Sequence, residues 1–269
     1  MRFIAPAVIA CVMVSFPVLG ADNHPNFSGM WTRGLTATTP YRAPPSGPGP
    51  VRSVIAPGAR DEGGAVYRQG DHTSPILQPW AAEIVRAHAQ LEREGRPVRS
   101  AKETCAPMGV PYILQLNLRA QITDADDGKQ IVFLYEQLMQ PRFVRLNAKH
   151  PADLKPSWYG DSVGHWEGDT LVVDTVGIDK RSWVDAFGTP HTDKMHVVER
   201  HTLRDPNTLE VSLTVEDPGA FTTPWSATVA YRKDRSTAEP FTEIVCAENN
   251  LDASTGEFYP IPTATKSDF

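Results

Sequence analysis

Beyond Cys105 the apolar residues fall in short runs that tend towards a period of two, a pattern that predicts β-strands. The runs cover Tyr112–Leu118, Lys129–Glu136, Phe143–Asn147, Ser157–His165, Thr170–Val176, Met195–Leu203, Leu209–Val215, Trp225–Arg232 and Phe241–Ala247. Turn residues separate them at Asp126-Asp127-Gly128, Glu167-Gly168-Asp169, Asp205-Pro206-Asn207 and Asp217-Pro218-Gly219. One segment keeps a helical period instead. From Pro79 to Glu94, Trp80, Ile84, His88 and Leu91 form an apolar stripe with Ala81 and Val85 beside them, Pro79 suits the first turn, and Gly95 and Pro97 end the helix. His88 on that stripe reads as a packing group. Upstream, Asn26–Trp31 predicts a first strand, and Pro40, Pro44, Pro45, Pro48, Pro50 and Pro57 predict an extended arm. The expectation is a mainly β protein. Its antiparallel strands close into a barrel, with an extended proline-rich N-terminal arm and one packed helix.

Composition changes this picture in two places. The 24 prolines and 19 glycines exclude a chain dominated by long helices. A formal charge of -6 without a basic block argues against nucleic acid as a partner. Residues 1–20 combine Arg2, an apolar run from Phe3 to Leu19 and small residues at its end, which is the pattern of a secretory signal peptide. The expected location is therefore periplasmic or secreted, with no stable membrane span in the mature protein. Residues 21–75 form the first strand and arm, which either wraps the body or supports a homodimer. Residues 76–269 supply the helix and barrel, one domain with the first strand. Cleavage would remove Cys11 and leave Cys105 and Cys246. In an oxidising compartment these two pair, closing a loop worth about 5 kcal/mol, or else they stand as separate buried thiols.

Several stretches carry a resemblance: Asn26–Trp31, Ser157–Ile178 (with SVGHWEGDTLVVDTVG at its centre), Gly188–Arg200, Asp217–Trp225 and Val245–Asn249. Through them the chain resembles a family of uncharacterised exported bacterial proteins, which implies export but no particular reaction. Gly29-Met30-Trp31 also resembles the opening of a lipocalin, which implies a lipocalin-like, ligand-holding barrel.

Reactive side chains are densest between Trp158 and His201. His165 and Glu167 share one face of a strand, and Asp174 interrupts an apolar strand and needs a partner, such as a histidine it orients. His196 and Arg200 share a face; turned inwards, Arg200 would hold an anionic oxygen, while His191 moves a proton and Tyr159 donates a phenolic hydrogen. Trp158, Trp166 and Trp225 would bind the substrate. His165, His191 and His196 are chemically adequate for zinc, but no compact metal motif accompanies them, and no cofactor is expected. Asp124, Asp126 and Asp127 read more simply as an acidic hairpin tip than as a calcium site. Phosphate loops, a GxSxG elbow and CxxC are absent from the sequence. The leading expectation is a cofactor-independent lyase or isomerase that moves a proton on a small, partly aromatic substrate. The alternatives are a lipocalin-like binder of a small apolar ligand and a zinc-dependent hydrolase. Activity unchanged by alanine at each of His165, His191 and His196 would remove the leading reading.

Overall fold

The computed structural model describes residues 24–33, 41–60, 66–94, 96, 101, 105–116, 118–235 and 241, with backbone alone at 56–60 and 66–68. The expected signal peptide, Cys246 and most of the expected last strand lie outside these residues. The elements in chain order are β1 (Gly29–Thr32), β2 (Ser53–Arg60), β3 (Val66–Gly70), α1 (Pro79–Arg93), β4 (Ala120–Ala125) and β5 (Gln130–Tyr135). They continue as β6 (Gln140–Leu146), β7 (Asp161–Glu167), β8 (Thr170–Val176), β9 (His196–Asp205), β10 (Thr208–Glu216) and β11 (Trp225–Lys233).

Nine strands close into a barrel in the order β1-β11-β10-β9-β8-β7-β6-β5-β4, with β4 pairing back to β1. Every pair in it is antiparallel except one. β6 and β7 run parallel, so the barrel is mixed rather than wholly antiparallel. That pair is also short: only Val144–Ser162, Arg145–Val163 and Leu146–Gly164 are in register. Parallel neighbours need a crossover connection, and residues 147–160 provide it outside the sheet.

Alternation sorts the side chains as the strand period requires. Leu171, Val173 and Thr175 of β8 are buried, while Thr170 and Asp174 are half-buried on the outer row. On β6, Arg142 and Val144 point inwards, whereas Phe143 is exposed. The inner faces carry Trp31, Ile122, Phe133, Leu171, Val197, Leu209 and Tyr231 into one apolar core. Hairpin turns follow the sequence signals: Asp126, Asp127 and Gly128 all adopt positive φ, and Asp217 caps its own turn through Gly219 N–H.

Three expectations need correction. Tyr112–Leu118 is not a strand: Tyr112–Gln115 forms a buried 3-10 turn that plugs the core, because all four side chains are buried and none alternates outwards. The helix buries Ala81 and Val85, which flank the expected stripe, together with Ala89, whereas Trp80 at the start of that stripe is not buried. Trp80 stays exposed and donates its indole N–H to the Gly219 carbonyl at 2.7 Å. Small residues let the helix approach closely, since Val85 lies against Gly70 of β3. Finally, part of the proline-rich stretch is the ribbon β2–β3, with Pro57 inside the register shift between Ile55 and Arg60. A proline is tolerated there because a bulge leaves its position without a ladder bond. The segment before it lies on the barrel: Arg42 bridges Thr228 of β11, and Tyr41 is buried with its hydroxyl on the Pro111 carbonyl at 2.7 Å.

Candidate functional site

The barrel interior is occupied by its own polar groups. Arg142 projects from β6 and meets Glu199 of β9 in a two-pronged ion pair, Nη2 to Oε1 at 2.6 Å and Nη1 to Oε2 at 3.1 Å. Arg142 also donates to Thr175 Oγ1 at 2.8 Å and Ser162 Oγ at 3.2 Å. His201, two residues beyond Glu199 on the same row, donates Nε2–H to Glu199 Oε2 at 3.0 Å. Burial would raise the Glu199 carboxyl, but the Arg142 charge and the His201 hydrogen bond outweigh it and hold it down to about 2. Burial pushes the Tyr135 phenol up to about 12. A cavity lined by Trp31, Phe133, Tyr135, His201, Leu209 and Tyr231 among others is about 10 Å³. That is room for about one water. Among the described residues this part of the interior has no room for anything larger.

A larger open space lies beside it, at the seam between β6 and β7. Ahead of Val144 and Ser162 the two strands part, because Ser157–Gly160 makes a turn that carries the chain towards Gly177 and Ile178. Gly160 adopts φ +68, and a Cβ there would lie 2.5 Å from the Val176 carbonyl oxygen. Only glycine suits both the backbone angle and that approach. The gap is a groove of about 490 Å³, within the range of small-molecule sites.

Each element contributes to it according to its alternation. The floor is Arg142 and Ser162, whose side chains belong to the interior network. Phe143 and Arg145 come from the outward row of β6, Asp161 starts β7, and Trp158 and Tyr159 come from the turn. Phe143 is 52% exposed, an unusual position for a large apolar ring. The Arg181 guanidinium stacks 4.6 Å from the centre of the Trp158 ring, and Asp179 fixes that guanidinium through Nη2 at 2.6 Å. Tyr159 stacks with Tyr135 at 6.1 Å and donates to Gln140 Oε1 at 3.2 Å; burial holds its phenol well above the usual range. It is a neutral donor here.

A second cluster borders the groove on the outer surface. Arg145 Nη2 reaches both oxygens of Asp161 at 2.8 Å, and Asp161 Oδ1 lies 2.6 Å from His150 Nδ1. His150 Nε2 is 3.2 Å from Asp174 Oδ1, and His196 Nε2 is 2.9 Å from that same oxygen. His150 lies between the Asp161 and Asp174 carboxylates and ties the crossover connection to β7 and β8.

The sequence candidates are thus dispersed. Trp158 and Tyr159 line the groove, and Asp174 and His196 meet in the adjoining cluster. Arg200 does not turn inwards with His196: that row faces out, and Arg200 pairs with Glu167 at 2.7 Å on the surface. The inward row of β9 carries Glu199 and His201 instead. His165 is exposed and bonded to Glu167 at 3.1 Å. His191 is buried in a loop, donating Nδ1–H to the Thr192 carbonyl at 2.8 Å and accepting from Ser182 Oγ at 2.9 Å. Burial lowers its pKa, which suits a neutral structural ring. His88 behaves similarly, half-buried against Trp183. Trp166 stacks on His24 at 4.6 Å, and Trp225 is buried beside Tyr41 and Phe221, so neither borders the groove.

His165, His191 and His196 therefore do not converge. Among the described residues no group of three His, Cys, Asp or Glu side chains is placed to hold a metal ion. Cys105 is described, but its expected partner Cys246 is not. The residues missed by sequence reasoning are Arg142, Phe143, Arg145, His150 and Asp161. The available signal was Arg142, which the two-residue alternation puts on the same row as Val144, since a buried charge requires a partner. The chain matches no protein-family model, and it has no significant match among curated proteins or solved structures.

Proposed function

We propose that this protein binds a small, partly aromatic molecule in the groove between β6 and β7, without chemical turnover. The observation that carries the reading is the groove itself: about 490 Å³ walled by Phe143, Trp158 and Tyr159, beside an interior with room for about one water. An exposed phenylalanine and a tryptophan stiffened by an arginine supply apolar area at low entropic cost, as ligand sites require. The protein is lipocalin-like in using a closed barrel as the scaffold, but the ligand sits in the wall and not in the lumen. Calorimetric titration with 2-naphthamide tests this. Binding is expected in the wild type and weakened about tenfold in Phe143→Ala and in Trp158→Ala. Equal affinity in all three proteins removes the reading.

Export belongs to the same proposal, with residues 1–20 as the signal and Cys105 paired with Cys246. N-terminal sequencing of the secreted protein and peptide mapping without reductant check both points. An intact Met1 terminus and two free thiols would exclude them.

One observation favours a second reading, proton transfer of the lyase or isomerase kind. His196 Nε2 lies 2.9 Å from Asp174 Oδ1, the arrangement in which a carboxylate orients a base. Exchange of the methyl protons of 2-acetonaphthone in heavy water, followed by NMR, examines it. The reading requires exchange above the buffer rate that falls in His150→Ala and His196→Ala. Exchange at the buffer rate in the wild type eliminates it.

A further inference from the structure

The groove holds more than apolar walls, and its polar groups select among aromatic ligands. Arg145 uses only Nη2 on its neighbours, donating to both Asp161 oxygens at 2.8 Å and to the Lys149 carbonyl at 3.3 Å. Its Nε and Nη1 make no hydrogen bond among the described residues, and its side chain is 39% exposed. Three N–H donors of a permanent cation are therefore open to solvent or ligand. The Asp161 carboxylate, the one acid lining the groove among the described residues, is taken on one oxygen by both Arg145 and His150 and on the other by Arg145. Its ability to attract a cation is correspondingly reduced. Phe143 and Arg145 stand two residues apart on the outward row of β6, roughly 7 Å along the strand. A flat ring resting on Phe143 would place a substituent at the guanidinium.

From this juxtaposition we infer that the ligand is an aromatic carboxylate, its ring against Phe143 and Trp158 and its anion on Arg145. Arginine suits this role because it is a permanent cation whose free Nη1 hydrogens can each donate a charge-assisted hydrogen bond to a carboxylate oxygen. The inference rests on the groove being a binding site and specifies what that site takes.

Three probes of one shape decide it by calorimetry on the mature protein: 2-naphthoate, 2-naphthamide and 2-naphthylmethylammonium. The expected result is 2-naphthoate bound at least about tenfold tighter than 2-naphthamide, with the ammonium weakest. Arg145→Gln should collapse that preference and Arg145→Lys should keep part of it. Because Arg145 also braces Asp161, the wild type provides an independent measurement. Raising the salt concentration should weaken 2-naphthoate and leave 2-naphthamide unchanged. If all three bind alike, lose affinity in Phe143→Ala and ignore salt, the groove is a binding site but the anion assignment is wrong. Tightest binding of the ammonium overturns the assignment in the opposite sense. If none binds, or none responds to Phe143→Ala, the groove reading itself fails.

Discussion

The barrel interior and the groove beside it share β6, and they differ in how their polar groups are satisfied. Inside, Arg142, Glu199, His201, Thr175 and Ser162 bond to one another and leave about 10 Å³. One residue further along, Phe143 and Arg145 face a groove of about 490 Å³ with an exposed ring and unused donors. The interior charges are met by one another, with His201 Nδ1 left without a partner among the described residues, whereas the free Arg145 donors face water that a ligand can displace. On the proposed reading, recognition belongs to the wall of the barrel and its centre to stability.

The largest effect should come from breaking the centre. Glu199→Ala strands a buried guanidinium and should cost about 3–5 kcal/mol in urea unfolding, while an Arg142→Met, Glu199→Leu double variant should recover most of it. A single-variant loss below about 1 kcal/mol would mean that the interior is wetter than its packing implies. Acid sharpens the same point. The Glu199 carboxyl sits at about 2 when folded, below its ordinary 4.5. A depressed carboxylate contributes stability above the unfolded pKa and loses it as pH falls through the folded one. The advantage of the wild type over Glu199→Gln should therefore narrow between pH 4.5 and 2, and a constant gap would contradict a charged pair.

Next comes the turn that opens the groove. Gly160→Ala forces a strained backbone and a clash with the Val176 carbonyl, and should cost about 1–3 kcal/mol together with probe binding. Full retention of 2-naphthamide affinity would detach the groove from this turn. Phe143→Ala should separate the two regions most cleanly, with binding down about tenfold and the unfolding midpoint nearly unchanged. The smallest effect is expected at His165, exposed and outside both regions. Its alanine variant should bind and unfold like the wild type, within about 0.5 kcal/mol, and a clear loss of binding would extend the site along β7.

Much of the fold was legible from local pattern. Thr170–Val176 was predicted to the residue, α1 to within one, and the hairpin turns by their Asp, Asn and Gly residues. Turn chemistry and period act over a few residues, so a sequence displays them directly. The site was less visible. Trp158 and Tyr159 were identified as reactive or binding residues and do line the groove, while Asp174 and His196 proved to be partners. Phe143, Arg145 and Asp161 passed unnoticed because strand residues acquire a site only from the neighbour they face.

By itself, then, the sequence determined the local elements: a mostly β chain, one helix from Pro79, the turns, and the two-residue alternation that sets which side chains share a face. Which of those faces points inwards, and which strands are neighbours, was left to the tertiary structure. It turned Glu199 and His201 in and His196 and Arg200 out, and it laid β7 parallel to β6 for only three residue pairs. The physical reason is that alternation is local, while facing and register are settled by contacts between residues far apart in the chain. Arg142 reaches Glu199 across 57 positions. The groove exists because β6 and β7 part where Gly160 turns the chain away.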